Sequence, residues 1–197
     1  MGTANLASAQ TCIHTDLSKN FDYTVTRTMT MSKLNGEVHR YSKIVVIISG
    51  KKTRSVQKIV LEPGYLDETA YRKCNAVRSY ITEQNDELTS DEGEAGDLIV
   101  VDLDFDGRED IAVKSDSGGA SGPGYAFYLQ DENGRFVKDK YLSEEMYYFP
   151  WEINARKKTL TTNVTVNYTQ IHRSVFKYDP ATRQWKSIKN VFLKSEN

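Results

Sequence analysis

The sequence predicts an all-β protein, an antiparallel β-sandwich or open barrel of about ten short strands with at most one short helix. Three observations lead there. Tyrosine is abundant, at 12 residues, and Thr and Val accompany it through the apolar stretches, the residue types that suit a pleated, half-buried surface. Those stretches are short, and several alternate apolar with polar residues, the period of a strand. Turn signals rich in Gly, Asn, Asp and Pro separate them at roughly eight- to twelve-residue intervals. No repeat of fixed period runs through the chain, which argues against a full propeller.

Hairpins begin at Phe21. Tyr23 to Met31 is β-branched and roughly alternating, and the Asn35-Gly36 that follows tolerates positive φ at both centres of a type I′ turn. Lys43 to Ile48 is an apolar run of core-strand length, and Gly50-Lys51-Lys52 turns the chain into Ser55 to Leu61. Residues 64–96 break the pattern. Tyr71 to Ile81 is weakly amphipathic and is the place for a short helix, whereas residues 83–97 are polar, acidic and glycine-dotted, the signature of a loop. Strands resume at Leu98 to Val101, Ile111 to Lys114 and Tyr125 to Leu129, with Asp131-Glu132-Asn133-Gly134 turning into Arg135 to Val137. Thr161 to Tyr168, Ile171 to Tyr178 and Gln184 to Ile188 complete the set; Asp179-Pro180 opens the last turn, since Pro presets the torsion at its second position. No linker is long enough to separate two domains, so residues 12–197 read as one domain behind a disordered tail or leader remnant over residues 1–11.

With 26 basic and 27 acidic residues, the formal net charge of −1 offers no surplus of cations for nucleic acid. No apolar run approaches the roughly 18 residues that a bilayer-spanning helix needs. Ala7-Ser8-Ala9 before Gln10 has the small-x-small form of a secretory cleavage site, without the charged and apolar regions that precede one. A periplasmic location is the expectation, and the two cysteines agree with it. A bridge between Cys12 and Cys74 would close a long loop and stabilise by about 3–5 kcal/mol in the chain-entropy account, two separate buried thiols being the alternative.

The strongest chemical signal is Asp102-Leu103-Asp104-Phe105-Asp106-Gly107-Arg108-Glu109-Asp110. Carboxylates at relative positions 1, 3, 5 and 9 with glycine at 6 match the start of an EF-hand loop. Ca²⁺ takes about six to eight oxygens, and alternate side chains of a tight turn converge on one point. Asp102, Asp104, Asp106 and Asp110 are the candidate side-chain ligands, and Arg108 would contribute its backbone carbonyl. Position 12, where an EF-hand has a bidentate Glu, is Val113, and the flanks read as strands. The arrangement therefore resembles the β-flanked calcium turns of FG-GAP and integrin-like repeats. The alternative is an exposed acidic turn without a metal.

Ser115-Asp116-Ser117-Gly118-Gly119-Ala120-Ser121-Gly122-Pro123-Gly124-Tyr125 follows the next strand, with four glycines in eleven residues. It lacks GxxxxGK[ST] and leads into a strand rather than a helix, so it is no phosphate cradle. Ser121 to Tyr125 has the form S-G-x-x-Y, which resembles the inhibitory loop of bacterial periplasmic lysozyme inhibitors. The calcium turn, this loop, Phe127-Tyr128-Leu129 running into the Asp131 to Phe136 hairpin, and Val175 to Pro180 together resemble one branch, similar in fold to inhibitors of invertebrate-type lysozyme and including immunity proteins against lysozyme-like effectors of secretion systems. The resemblance covers roughly residues 95–190.

That resemblance implies a partner, a lysozyme-like peptidoglycan hydrolase, blocked by a loop entering its cleft. Such enzymes work with two carboxyl groups, one held protonated. Ser121 and Tyr125 would hydrogen-bond them, while Ser117, Gly118, Gly119 and Gly122 allow close approach; Pro123 restricts how Tyr125 is presented. Acidic residues crowd Glu83 to Asp110, with Arg108 the one basic residue among them, a distribution that steers a basic enzyme. An ordinary flexible connection and a solvated acidic face are the plainer readings.

No catalytic constellation competes. His14, His39 and His172 are scattered, with no HExxH and no GxSxG elbow, and Glu144-Glu145 would point to opposite faces of a strand. Tyr147 to Trp151 is an aromatic cluster suited to binding a sugar or a partner, with core and edge packing the plainer reading. The expectation is a non-enzymatic, calcium-binding inhibitor or immunity protein; the alternative is a calcium-binding adhesion or scaffolding module of FG-GAP type with no enzyme target.

Overall fold

The computed structural model describes residues 7–34, 37–78, 87–89, 96–119 and 121–194. The Asn35-Gly36 turn, Ala120 and most of residues 83–97 lie outside them. The chain divides into two compact units, Met1–Asn75 and Ala76–Asn197.

The first unit is an antiparallel meander in the order β1 (Ala7–His14), β2 (Phe21–Leu34), β3 (Glu37–Gly50), β4 (Val56–Leu61). Period-two alternation decides which face is buried: Tyr23 and Val25 on β2, Ile44, Val46 and Ile48 on β3, and Ile59 and Leu61 on β4 are buried. Arg27 shares that face, and its guanidinium donates to the carbonyls of Leu66, Asp67 and Ala70 at 2.7–3.2 Å, which satisfies an otherwise costly buried charge. Ala7 to Thr11, expected in a tail, belong to β1 and pair with Thr26 to Thr30. The Cys12–Cys74 disulfide, one of the two alternatives left by the sequence, ties β1 to the segment after β4.

The second unit holds two five-stranded sheets. One has the order β10 (Phe136–Lys138), β9 (Gly122–Gln130), β8 (Asp110–Gly119), β7 (Leu98–Val101), β5 (Ala76–Arg78); the other runs β14 (Gln184–Lys194), β13 (Gln170–Asp179), β12 (Thr159–Asn167), β11 (Glu152–Asn154), β6 (Glu87–Thr89). All pairs are antiparallel except β5 with β7. The sheets share one core, to which Ile99, Val101, Ala112 and Phe127 come from the first and Ile153, Leu160, Phe176 and Trp185 from the second. This is sandwich-like packing, and neither sheet closes into a barrel among the described residues.

The all-β class is therefore as expected, with fourteen strands among the described residues against about ten expected. The helix is misplaced. Tyr71 to Arg78 form a turn and then β5, with residues 79–81 outside the described residues, and among the described residues the one short helix, a π-type turn, spans Leu142–Met146. Burial of Leu142 and Met146 in the core, rather than helix propensity, holds that turn. Glu144 and Glu145 lie on it, both exposed, and not on a strand.

Candidate functional site

β7 and β8 pair as far as Val101↔Asp110, so their connection is the acidic loop itself. Gly107 takes φ +83°, the left-handed backbone that the sharp bend requires, and Phe105 takes φ +63°. Asp102 organises the turn from within: one carboxylate oxygen accepts the Gly107 N–H at 2.9 Å and the other accepts the Asp106 N–H at 3.3 Å. Asp106 in turn accepts the Arg108 N–H at 2.8 Å.

The loop brings Asp102, Asp104 and Asp106 together, with one oxygen from each lying within 4.8 Å of the others. Oxygens bound at roughly 2.3–2.6 Å to one Ca²⁺ are at most about 5 Å apart, so the spacing fits that ion. Asp104 is 7% exposed, and its Oδ1 is buried with no hydrogen-bond partner. An orphaned carboxylate oxygen at this depth is costly unless a cation meets it. Burial, followed by the charges of Asp106 and Asp102, pushes the Asp104 carboxyl up to about 7. The donor set is all hard oxygen, the chemistry of Ca²⁺ rather than of a softer metal.

Asp110 behaves differently from the other three. It is fully buried, and its two oxygens accept the N–H groups of Leu103 and Gln130, each at 2.8 Å. It thus latches the loop's entrance to β9 and is not brought into the three-carboxylate group. Burial, and then Asp104, hold its carboxyl well above the ordinary range. The Arg108 guanidinium pairs with Asp106, and its Nε donates to the Gln130 carbonyl at 2.9 Å. Its side chain braces the loop from outside, consistent with a ligand role confined to its backbone.

β8 leads from this loop to the glycine-rich connection. The hairpin pairing ends at Gly119↔Gly122, with irregular register on either side of Asp116. Gly118 has φ +61°, and a β-carbon there would collide with the Gly122 carbonyl, so two strands approach at a spacing that only glycine permits. Gly118 N–H donates to Asp116 at 2.6 Å, and Ser121 Oγ donates to the Thr165 carbonyl at 3.0 Å. Gly118 and Gly119 are exposed at the tip, and Ser117, Ser121 and Gly122 are half-buried.

Tyr125 is not at that tip. Its side chain is 1% exposed, its hydroxyl donates to the Gly96 carbonyl at 3.0 Å, and its ring packs edge-on to Phe149 at 5.8 Å. A contact between Tyr125 and a partner is therefore corrected to an anchoring role: alternation along β9 turns this residue into the core. Tyr147, from the aromatic cluster, packs specifically against the loop. Its ring occupies the space a side chain at Gly124 would need, and its carbonyl accepts the Tyr125 N–H at 2.8 Å. Burial, and then Asp116, push its phenol up to about 12.

No family model matches the chain, and no curated protein matches it. Among solved structures, the fold is similar to one described as a Xanthomonas type IV secretion system related protein, with a TM-score of 0.55 and 15% identity over 95% of this chain and 87% of that one.

Proposed function

We propose that this protein is a calcium-binding inhibitor, acting as an immunity protein, that blocks a lysozyme-like peptidoglycan hydrolase in the periplasm and performs no chemistry of its own. The observation that carries this reading is the construction of the β8–β9 hairpin. Its exposed Gly118-Gly119 tip stands on a base fixed by Tyr125, Tyr147 and Ser121. A tip held in advance loses little freedom on entering a cleft, and glycines let its backbone approach the cleft walls. Calcium at Asp102, Asp104 and Asp106, with the Arg108 carbonyl, would fix the other end of β8. The fold likeness to a secretion-system related protein supports the setting of this reading and does not specify a target.

Ser117, Gly118, Gly119, Ser121 and Gly122 are the contact residues of this account, with Tyr125 beneath them. Gly119 offers the cleanest test because a side chain there meets nothing within 4 Å and its backbone is not left-handed. Gly119→Glu should leave the melting temperature unchanged. In a cell-wall lysis assay with lysozymes and lysozyme-like effectors, the native protein should block one enzyme and the variant should lose at least about tenfold in potency. Equal potency of the two would show that the tip does not enter the cleft. Inhibition of none, with calcium still binding, would favour the adhesion or scaffolding module.

A further inference from the structure

Beside the acidic loop lies a cleft of about 490 Å³, with Asp104 and Asp106 in its wall and Arg108, Lys138, Lys158 and Arg183 around it. We propose that this cleft binds a carboxylate group, which enters beside the cation held by the acidic loop and completes that cation's oxygen shell. The proposal rests on the calcium reading above and goes beyond it by assigning the ion an open side and a ligand class.

The coordination arithmetic is the first argument. Ca²⁺ takes about six to eight oxygens. The loop offers the carboxylates of Asp102, Asp104 and Asp106, which converge, and the Arg108 carbonyl, while Asp110 stands outside that group and latches the loop to β9. The remaining positions fall to water or to a ligand arriving through the cleft. The buried Asp104 Oδ1, with no partner of its own, belongs to a residue of that wall, so the cation and the cleft are contiguous.

Charge is the second argument. The cleft is lined by four carboxylates, including Asp131 and Asp139, and by four cations. With Asp102, the ion's third carboxylate, counted as well, a divalent ion leaves one positive charge in excess. The acidic residues are already engaged: Asp131 accepts the N–H groups of Asn133 and Arg135, Asp139 accepts that of Leu142, and Asp106 pairs with Arg108. Among the described residues, Lys138, Lys158 and Arg183 enter no ion pair.

The third argument comes from the backbone. Lys158 closes the β11–β12 turn at φ +53°, and Arg183 closes the β13–β14 turn at φ +52°. Glycine adopts that conformation with least strain, yet the chain places a cation at both positions on one cleft. An arginine fork beside a hard cation matches the planar, two-oxygen geometry of a carboxylate.

Terbium, a hard trivalent substitute for calcium, tests this in the intact protein. The Trp185 ring, 6.3 Å from that of Phe105 in the acidic loop, serves to sensitise its luminescence. Lifetimes in H₂O and D₂O count the water molecules on the bound ion. The expected result is a count of two or more that falls when acetate, but not chloride, is added. Lys158→Gly with Arg183→Gly relaxes both turns while removing two charges, so this variant should fold, bind terbium as before, and weaken acetate binding by about tenfold. Terbium bound without any response to acetate, or an unchanged response in the variant, would overturn the carboxylate site and leave the calcium loop standing. No terbium binding at all would remove both.

Discussion

Tyr125 and Asp104 show how far residue identity and residue role separate. The S-G-x-x-Y pattern nominates Tyr125 for a partner, but its ring is in the core and its hydroxyl serves Gly96. Tyr125→Phe should therefore cost about 1–2 kcal/mol in denaturant unfolding, the cost of one buried hydrogen bond with its acceptor left unmet. Asp104 is legible in the sequence as a candidate ligand because alternate carboxylates around a glycine have few other uses. Its state in the metal-free protein has a further consequence. An acid whose folded pKa, about 7, exceeds the ordinary 3.8 binds its proton more tightly in the folded chain. Stability of the metal-free protein should therefore fall as pH rises from about 4 to 7, and saturating calcium should remove that decline. Melting curves across this range with chelator and with calcium check the sign; a rise with pH under chelator would contradict it.

At the scale of elements, most strands were readable because their apolar runs are bounded by turns with unambiguous chemistry, as at Asp131 to Gly134 and at Asp179-Pro180. The misplaced helix has a physical cause. Tyr71 to Ile81 carries a weak helical pattern, but Tyr71 is buried and Ala76 to Arg78 extend a sheet through parallel pairing with Leu98 to Val100. Parallel pairing between distant segments leaves no local signature. Leu142–Met146 is too short for its period to register, and its side chains are placed by the core they meet. Two predictions belong here. Gly118→Ala should destabilise the second unit by about 1–3 kcal/mol, since the β-carbon meets the Gly122 carbonyl and the φ is left-handed, whereas Gly119→Ala should be nearly neutral. Reduction of Cys12–Cys74, whose partners are 62 positions apart, should destabilise the first unit by about 4 kcal/mol in the chain-entropy account, read as a lower denaturant midpoint for that unit.

For the whole molecule, the all-β class followed from period and turns, while the division into units at Asn75 did not. No composition shift marks that point, because the boundary falls between a disulfide-tied turn and a three-residue strand. The β7–β8 loop, the β8–β9 hairpin and the cleft at Lys158 and Arg183 all belong to the second unit. They are joined through β8 and β9, so a cation at one end of β8 is expected to be felt at the glycine tip on the other. The central claim is that such a cation binds. Calorimetric titration of the intact protein with Ca²⁺, beside Asp104→Asn, tests it most directly. The account predicts one calcium per native chain, a higher melting temperature in its presence, and loss of both in the variant. Absence of binding heat together with an unchanged melting temperature in the native protein would contradict it.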